Sequence, residues 1–451
     1  MYKVCKFGGS SLANGEQIRK VCSIMLSDPS RRIMVVSAPG KRNRDDLKVT
    51  DLLIALANAR ISGYDAQKEY RAVIDRFSAI ASELELQQPI IDEISSDLKE
   101  RIESDHTSSM RYLDEIKAAG EDYCARIVAN YLQSIGRQAR YVHPKDAGLL
   151  LTEEYGNAQV LPESYERLRA LRFIPDIVVF PGFFGYSPSG RIVTFPRGGS
   201  DITGSILAAA TDADVYENWT DVDSVYSVNP SLVSHPHPIY EITYDEMREL
   251  AYAGFSVLHE EALIPVYRKG IPVHIRNTNN PSARGTMIVK NRANFDGVVT
   301  GIAGAKGFCS LHLSKYLMNR EVGFALKVLK ILADEHLPFE HMPSGIDSLS
   351  IILRKELFTP DKEKIITDRL IHELGIENVS VSRNLAIVMI VGEAMARTVG
   401  VTARAATALS KAGVNLEIIN QGSSEISVMF GVREEYCNYA VKELYKEFFQ
   451  R

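Results

Sequence analysis

Short apolar strands alternate with amphipathic helices through residues 1–60. The pattern predicts strands at residues 2–7 and 33–37 and helices at residues 14–26 and 47–59, with Asn14 as a helix cap. A strand, a helix and a second strand at this spacing imply right-handed crossovers and a largely parallel sheet. From residue 139 the alternation resumes, with strands predicted at residues 177–180, 192–194, 215–219 and 271–275 and a helix at residues 200–210. We therefore expect an α/β protein.

The first predicted strand ends in the segment Lys-Phe-Gly-Gly-Ser-Ser, residues 6–11. The glycine pair, Gly8 and Gly9, lets the backbone pass close to a phosphate, and Lys6 supplies a positive charge for it. The helix expected after this segment would turn its N-terminus toward the same place. On its own, a glycine pair after a strand more often forms only a tight turn. The neighbouring segments therefore decide between a phosphate site and a turn.

A second polar segment, residues 197–201, follows another predicted strand. Arg197 offers a planar guanidinium group that suits a carboxylate. Ser200 or Asp201 could cap the helix that starts here, and Asp201 could instead hold an ammonium group. An arginine and an aspartate beside a phosphate site would fit a substrate that carries both a carboxylate and an ammonium group. A surface turn with a helix cap is the alternative.

Further polar residues follow other strands, and ligands of parallel sheets bind at the carboxyl ends of the strands. Ser37 opens the segment Ser-Ala-Pro-Gly-Lys, and Thr50 begins the next helix. Thr220 and Asp221 close another predicted strand, where an adenosine contact and an ordinary turn are both open interpretations. Glu121 lies in a helical stretch and would by default be a solvated charge.

Composition narrows the class of protein. The chain has 451 residues, 45% of them hydrophobic, and a formal net charge of −5, so neither nucleic acid nor membrane is an expected partner. Its five cysteines are scattered and form no CxxC pair, which favours a reducing, cytoplasmic location over a disulfide framework or a zinc site. No signal peptide or membrane-spanning apolar run is recognised.

The motifs GxxxxGK(S/T), GxGxxG, HExxH and GxSxG are absent from the sequence. The histidines His259, His274 and His341 are expected to be core or surface residues.

Three regions of the chain differ in pattern. Residues 1–296 are expected to form the α/β domain, with a helical insertion at about residues 61–135. Stretches rich in asparagine and glycine mark its end. Residues 297–451 repeat the order strand, helix, strand, strand, helix, which predicts two α+β units at about residues 305–378 and 379–451.

Together these segments resemble aspartate kinases of the amino-acid kinase family, along almost the whole chain. The resemblance rests on Lys-Phe-Gly-Gly-Ser-Ser, Arg-Gly-Gly-Ser-Asp and Trp-Thr-Asp-Val-Asp in the family's order, and on Asn-Gln-Gly-Ser-Ser-Glu at residues 420–425, which matches the family's second ACT domain. It implies an amino-acid-kinase (carbamate-kinase-like) three-layer sandwich and two ferredoxin-like ACT domains, the first inserted in the second. It also implies ATP- and Mg²⁺-dependent phosphorylation of the 4-carboxylate of L-aspartate, the first step of lysine, threonine and methionine (diaminopimelate) biosynthesis.

The resemblance assigns roles to residues of this chain. Lys6 and Asp201 would be catalytic. The nucleotide would contact Lys6, Gly8, Gly9, Ser10, Thr220, Asp221 and Tyr226. Aspartate would contact Ser37, Thr50, Glu121, Arg197, Gly198 and Ser200. Arg197 would bind its α-carboxylate and Glu121 its ammonium group. No side chain is assigned to a metal, and no general base is needed because a carboxylate is already a nucleophile.

Two positions depart from the family's pattern. Many relatives have an arginine where this chain has Ser231, and some have a lysine where it has Ser256. Two positive charges that could meet the nucleotide phosphates are therefore missing. Arg268 and Lys269 are the candidate replacements.

The paired ACT domains imply feedback inhibition by an amino-acid end product, and a homo-oligomer formed through these domains. The effector would bind at Met318, Gly323, Phe324, Ala325, Glu340, Asp347 and Ser348. A carboxylate at Glu340 or Asp347 could hold a cationic side chain, which favours lysine over threonine, although either could equally be an exposed loop charge.

Two alternatives stay open at this stage. One is a kinase for another amino acid such as glutamate, which the ACT pair and Glu121 argue against. The other is a catalytically impaired amino-acid sensor, suggested by the two missing charges. Intact Lys6, Arg197 and Asp201 argue against that interpretation.

Overall fold

The computed structural model describes residues 1–255 and 260–450. Ser256 and His259, on which two of the sequence predictions fall, lie outside the described residues. The chain divides into two compact units. The first comprises Met1–Val225, Pro238–Met247 and Ser256–Ala293. The second comprises Tyr226–His237, Arg248–Phe255 and Asn294–Arg451.

Twelve strands are described up to residue 289. In chain order they are Lys3–Phe7 (β1), Arg31–Val36 (β2), Ala139–Tyr141 (β3), Ile177–Pro181 (β4), Phe184–Tyr186 (β5), Ile192–Thr194 (β6), Val215–Thr220 (β7), Val225–Tyr226 (β8), Pro238–Ile239 (β9), Glu241–Thr243 (β10), Val273–Asn277 (β11) and Thr286–Val289 (β12). Eight of them form one sheet in the order β10-β12-β11-β7-β1-β2-β4-β3. Only β11 and β12 are antiparallel neighbours in that sheet. The mainly parallel sheet was predicted correctly.

Ten helices are described in the same part of the chain. They are Gly15–Leu26 (α1), Val49–Ile61 (α2), Gln67–Glu83 (α3), Pro89–Ile102 (α4), Ser109–Ser134 (α5), Pro144–Ala147 (α6), Glu163–Leu168 (α7), Gly199–Ala210 (α8), Tyr244–Tyr252 (α9) and Ile264–Lys269 (α10). Asn14 caps α1 as expected, because its Oδ1 accepts a hydrogen bond from the backbone of Gln17 at 2.9 Å. Helices α3, α4 and α5 occupy the stretch between residues 61 and 135, and their apolar faces share a core with β1 and β2.

The second unit contains a five-stranded antiparallel sheet in the order β14-β13-β15-β17-β16. Its strands are Gly301–Ser314 (β13), Ser348–Arg354 (β14), Asn378–Val391 (β15), Ile418–Gln421 (β16) and Ser427–Arg433 (β17). Its helices are Phe324–Asp334 (α11), Pro360–Leu374 (α12), Val401–Lys411 (α13) and Cys437–Phe449 (α14). None of the helices among the described residues is long and apolar enough to cross a membrane.

The two longest strands, β13 and β15, each serve two hydrophobic cores. The beginning of β13 pairs with the end of β15, where Ile302 and Val388 pack with α13 and α14. The end of β13 pairs with the beginning of β15, where Leu311 packs with α11 and α12. The chain therefore contributes first to the core around α13 and α14, then forms the whole core around α11 and α12, and finally returns to the core around α13 and α14.

Candidate active site

Lys6 lies at the carboxyl end of β1 and is only 8% exposed. Its Nζ lies 2.5 Å from Oδ1 of Asp201, in the first turn of α8. Asn218 of β7, which stands beside Lys6 in the parallel register, donates to the same oxygen at 2.8 Å. A nearly buried ammonium group needs such a partner, because an uncompensated charge is strongly unfavourable away from water. The pair is therefore held in place but carries no net charge.

The glycine pair is in close contact with the loop after β2. The backbone N–H of Gly40 donates to the carbonyl of Gly9 at 2.8 Å. A Cβ on Gly9 would lie 2.8 Å from the carbonyl oxygen of Ala38, so no larger residue fits there. Gly8 in turn donates to the carbonyl of Trp219 at 3.1 Å, which places Gly8 beside the end of β7.

The residues after the glycine pair differ in what they contact. Gly9–Leu12 forms a short 3-10 helix in which the side chain of Ser10 is exposed. The hydroxyl of Ser11, in contrast, is buried and lies 2.8 Å from that of Thr278. Ser10 is therefore available to a ligand, whereas Ser11 fixes the turn.

Glu121 is buried rather than solvated. Its side chain lies in the middle of α5, and the residue is only 6% exposed. Burial raises the pKa of Glu121 to about 8, although a hydrogen bond from the backbone of Ala38 and the charges of Lys117 and Lys6 act in the opposite direction. Its Oε2 has no hydrogen-bond partner in the described part of the chain. A buried acceptor without a donor is uncommon, so this oxygen is a candidate contact for a ligand.

The glycine before Glu121 explains how the helix reaches the site. A Cβ on Gly120 would lie 2.8 Å from the Cβ of Ala38 and 3.6 Å from a methyl group of Val49. Helix α5 can therefore lie directly against the end of β2 and the start of α2. Ser37 precedes Ala38 and Thr50 follows Val49, so the structure brings both predicted aspartate contacts close to Glu121.

Ser200 reaches the same edge from α8. A Cβ on Gly182 would lie 2.7 Å from Oγ of Ser200, and the backbone of Gly182 donates to the carbonyl of Val36 at 2.9 Å. The predicted side-chain cap of α8 is wrong. Gly198 occupies the cap position with φ 83°, a left-handed conformation that favours glycine, and no side chain caps the helix. Asp201 is free of that task and binds Lys6 instead.

The remaining predicted residues of the first unit, Arg197, Thr220 and Asp221, are more exposed than Lys6 and Glu121. Arg197 is exposed, in the turn before α8, and makes no hydrogen bond or ion pair within the described residues. Thr220 ends β7 and its hydroxyl lies 3.2 Å from Oδ1 of Asp221, whose side chain is exposed. Tyr226 belongs to the second unit, as does Ser231.

The family follows from comparison with known proteins. The model of the amino acid kinase family matches residues 1–277, and that of the ACT domain matches residues 388–448. Aspartokinase 3 of Bacillus subtilis (strain 168) is 56% identical over 447 residues, which are 99% of this chain and 98% of that protein. This chain belongs to the aspartokinase family.

Solved structures of aspartokinases share the fold over the full chain. Aspartate kinase of Clostridium acetobutylicum has a TM-score of 0.86 at 39% identity, with 99% of this chain and 100% of that chain covered. Aspartokinase III of E. coli in complex with aspartate and ADP (R-state) has a TM-score of 0.81 at 27% identity, with 99% of each chain covered. Its complex with lysine and aspartate (T-state) has a TM-score of 0.76 at 26% identity, again with 99% of each chain covered. The predicted fold, an amino-acid kinase sandwich followed by ACT domains, is confirmed.

Lys269, one of two candidate replacements for the missing aspartokinase charges, lies at the wrong edge of the sheet. Its Nζ is 2.9 Å from Oδ1 of Asp212, in the connection that leads into β7. The residues predicted to bind ligands lie at the other end of β7, beyond Trp219. Arg268 shares the last turn of α10 with Lys269, and its charge acts on Tyr165 of α7 rather than on any predicted site residue.

The effector residues expected of an aspartokinase fall into two groups in the second unit. Asp347 accepts a hydrogen bond from the backbone of Leu317 at 2.8 Å, which places the turn that begins at Met318 beside residues 346–348. Gly323, with φ 78°, begins α11 in the same turn, before Phe324 and Ala325. Ser348 starts β14, and its Oγ faces Gly345. Met318 and Phe324 themselves are buried in the core.

Glu340 is separate from this group. Its backbone donates to the carbonyl of Ile352 at 2.8 Å, four residues along β14 from Ser348. Its carboxylate pairs with Nε of Arg354 at 2.9 Å and accepts the hydroxyl of Tyr252. Both oxygens of Glu340 are thus engaged, and Asp347 is the better placed of the two acidic candidates.

The sequence interpretation missed two residues of the site. Asn218 holds Asp201, and the signal was a run of polar residues inside a buried strand, Val-Tyr-Glu-Asn-Trp-Thr. Lys117 lies one helical turn before Glu121 and pairs with Asp114 at 2.9 Å. Nothing in its sequence context distinguishes Lys117 from a solvated lysine.

Proposed function

We propose that this chain transfers the γ-phosphoryl group of Mg-ATP to the 4-carboxylate of L-aspartate and so forms 4-phospho-L-aspartate. The observation that carries the proposal is the buried carboxyl of Glu121, whose Oε2 has no hydrogen-bond partner among the described residues, at the edge of the sheet that also holds Lys6. An ammonium group would compensate the charge of this carboxyl once it is ionised. The solved complex of the E. coli relative with aspartate and ADP supports the same pair of ligands.

Lys6 and Asp201 are the proposed catalytic pair. An oxygen of the 4-carboxylate of aspartate attacks the γ-phosphorus, and the bond from that phosphorus to the bridging oxygen of ADP breaks. Lys6 neutralises charge on the phosphoryl group that is transferred. Asp201, which is itself held by Asn218, orients the ammonium group of Lys6. The attacking carboxylate is already ionised at neutral pH, so no protein base takes part.

Aspartate binds through both of its ends in this proposal. Glu121 binds the ammonium group and Arg197, which has no other partner among the described residues, binds the α-carboxylate. Ser37, Thr50, Gly198 and Ser200 surround the rest of the molecule. The nucleotide lies along Gly8, Gly9 and Ser10 and at Thr220 and Asp221. Mg²⁺ enters with the nucleotide in this proposal, because in proteins it binds largely through substrate phosphates and needs few protein ligands. No group of three or more acidic, histidine or cysteine side chains that could hold a metal occurs among the described residues.

Regulation is proposed to reside in the second unit. Residues 297–451 form the regulatory domain and residues 1–296 the catalytic one, with a homo-oligomer formed through the ACT pair. The effector binds at the turn that contains Met318, Gly323 and Ala325 and at Asp347 and Ser348, with lysine favoured over threonine because Asp347 is acidic. The E. coli relative, solved with lysine and aspartate, supports this choice. A cytoplasmic location remains a prediction.

Trapping the acyl phosphate with hydroxylamine tests the reaction. The purified chain is given Mg-ATP with L-aspartate or with L-glutamate, and the hydroxamate is measured. Hydroxamate from aspartate alone is the expected result. Product from glutamate instead indicates a different amino-acid kinase, and no product from a folded, ATP-binding protein indicates a sensor. Lys6→Ala serves as the inactive control, and Lys20→Ala, an exposed lysine paired with Glu16 on α1, as the matched active one.

A further inference from the structure

The proposed phosphate site carries too little positive charge for a nucleoside triphosphate. Lys6 is neutralised by Asp201, and Glu121 adds a carboxyl group. A triphosphate brings several negative charges, which a divalent cation offsets only in part. Lys269 does not contribute, because it pairs with Asp212 at the opposite edge of the sheet.

A strongly basic loop lies beside the glycine pair. Residues 41–48, Lys-Arg-Asn-Arg-Asp-Asp-Leu-Lys, connect β2 to α2 and are called the basic loop below. It begins directly after Gly40, whose N–H donates to the carbonyl of Gly9 at 2.8 Å. It ends at Val49, whose N–H donates to the carbonyl of Pro39 at 3.0 Å. The first end of the loop is therefore held against the segment that would receive the phosphates, and the second end is held close to the first through Pro39.

A buried arginine holds the loop in shape. Arg76, only 4% exposed, donates to the carbonyl of Gly40 and pairs with Oδ2 of Asp46 at 2.5 Å. Nε and the backbone N–H of Arg42 donate to the same oxygen at 2.8 and 2.9 Å. Hydrogen bonds from Arg42 and Arg76 keep the pKa of Asp46 well below its usual range. Asp46, Arg42 and Arg76 thus serve the structure of the loop.

Three basic side chains of the loop have no such task. Lys41, Arg44 and Lys48 are exposed and form no ion pair within the described residues. Asp45 is the one other acidic side chain of the loop, and it too is exposed. Consecutive Cα atoms are about 3.8 Å apart, so the side chain of Lys41 starts one residue from the contact between Gly40 and Gly9.

We propose that Lys41 and Arg44 of the basic loop, assisted by Lys48, bind the polyphosphate of the nucleotide and replace the charges missing at Ser231 and Ser256. This inference rests on the proposed function, because it assumes that the edge holding Lys6 receives a nucleotide. Flexible, exposed cations act mainly through charge, so their contribution grows with the number of phosphates and weakens with salt. They do not contact the base or the amino acid.

Nucleotide affinity tests the proposal. The double variant Lys41→Ala/Arg44→Ala is compared with Lys68→Ala/Arg71→Ala, which removes two equally exposed charges from α3. Calorimetric dissociation constants are measured for ATP, ADP and AMP. The loop variant should bind ATP about tenfold or more weakly, ADP less so and AMP equally well. Its ATP affinity should also depend less on salt, and its KM for aspartate should stay within about twofold.

Two further arms make the result decisive. Lys41→Arg/Arg44→Lys keeps both charges and should retain most of the ATP affinity. The proposal is overturned if the loop variant binds ATP as tightly as the helix variant does, or if its affinity for AMP falls by the same factor as its affinity for ATP. When the wild type forms aspartyl hydroxamate, such a result refutes the loop alone. When it forms none, the proposed reaction fails, and the ATP, ADP and AMP series still decides whether the loop binds polyphosphate.

Discussion

Two buried glutamates of the first unit have opposite surroundings. Glu217 of β7 is 1% exposed and accepts Nε of Arg31 at 2.8 Å and the indole N–H of Trp219 at 2.9 Å, with Nζ of Lys3 at 3.1 Å. Burial would raise its pKa, but hydrogen bonds and charges of Arg31 and Lys3 keep it below the usual value. Every strong interaction that Glu217 needs is supplied by the protein.

Glu121 lacks that compensation. It receives backbone hydrogen bonds from Ala38 and from its own N–H, but one of its oxygens has no partner among the described residues, and burial raises its pKa to about 8. Both side chains are buried, but the two oxygens of Glu217 are engaged by Arg31, Lys3 and Trp219, whereas one oxygen of Glu121 has no partner among the described residues. We therefore propose that Glu121 receives the ammonium group of the substrate.

The largest expected effect is on stability, at Glu217. Glu217→Gln leaves the buried Arg31 without its counter-charge and leaves Lys3 with Asp28 as its remaining acidic partner, so it should lower the free energy of unfolding by about 3–5 kcal/mol. The KM for aspartate of the folded variant should stay close to that of the wild type. Denaturant unfolding beside steady-state kinetics measures both. Equal free energies of unfolding for Glu217→Gln and the wild type would contradict the structural role of Glu217.

At Glu121 the same substitution should act on catalysis instead. Glu121→Gln replaces a buried carboxyl that is mostly protonated in the free protein by a neutral amide of similar size, so stability should be unchanged or higher. The kcat/KM for aspartate should fall about a hundredfold through loss of a charged contact with the substrate. KM for ATP should change little. The same unfolding and kinetic measurements apply. A variant that loses stability but keeps its kcat/KM would show that Glu121 is a structural residue like Glu217.

The pH dependence sharpens the assignment further. Because the pKa of Glu121 lies near 8 in the free protein, the group is mostly protonated at pH 7, and only the ionised form can pair with an ammonium group. The kcat/KM for aspartate should therefore rise about tenfold per pH unit below 8 and level off above it. The profile of Glu121→Gln should be flat in this range. A flat wild-type profile would contradict the raised pKa.

A smaller effect is expected at Asn218. Asn218→Leu removes the hydrogen bond that orients Asp201 and leaves Lys6 held by a less restrained carboxylate. We expect kcat to fall about fivefold to tenfold, with KM for aspartate unchanged and partial rescue by Asn218→Gln. Kinetics at saturating ATP separate the two parameters. A rise in KM for aspartate without a fall in kcat would show that Asn218 acts on substrate binding rather than on the positioning of Asp201 and Lys6.

The contrast between the two glutamates also shows what the sequence can predict. Strand and helix periodicity placed β1, β2 and β7 to within two residues, and the polar segments at their ends pointed to one edge of the sheet. The burial of Glu121 could not be inferred, because it depends on the contact of Gly120 with Ala38, which no local pattern shows. The ion pairs of Glu340 with Arg354 and of Lys269 with Asp212 could not be inferred either, because they also join residues that are distant in the sequence.

Proton release on substrate binding tests the central claim most directly. Calorimetric titration of the wild type with aspartate at pH 7, in buffers of different ionisation enthalpy, gives the number of protons released. If Glu121 awaits the ammonium group of aspartate, binding should release close to one proton, and Glu121→Gln should release almost none. Binding of aspartate to the wild type without proton release would contradict the account.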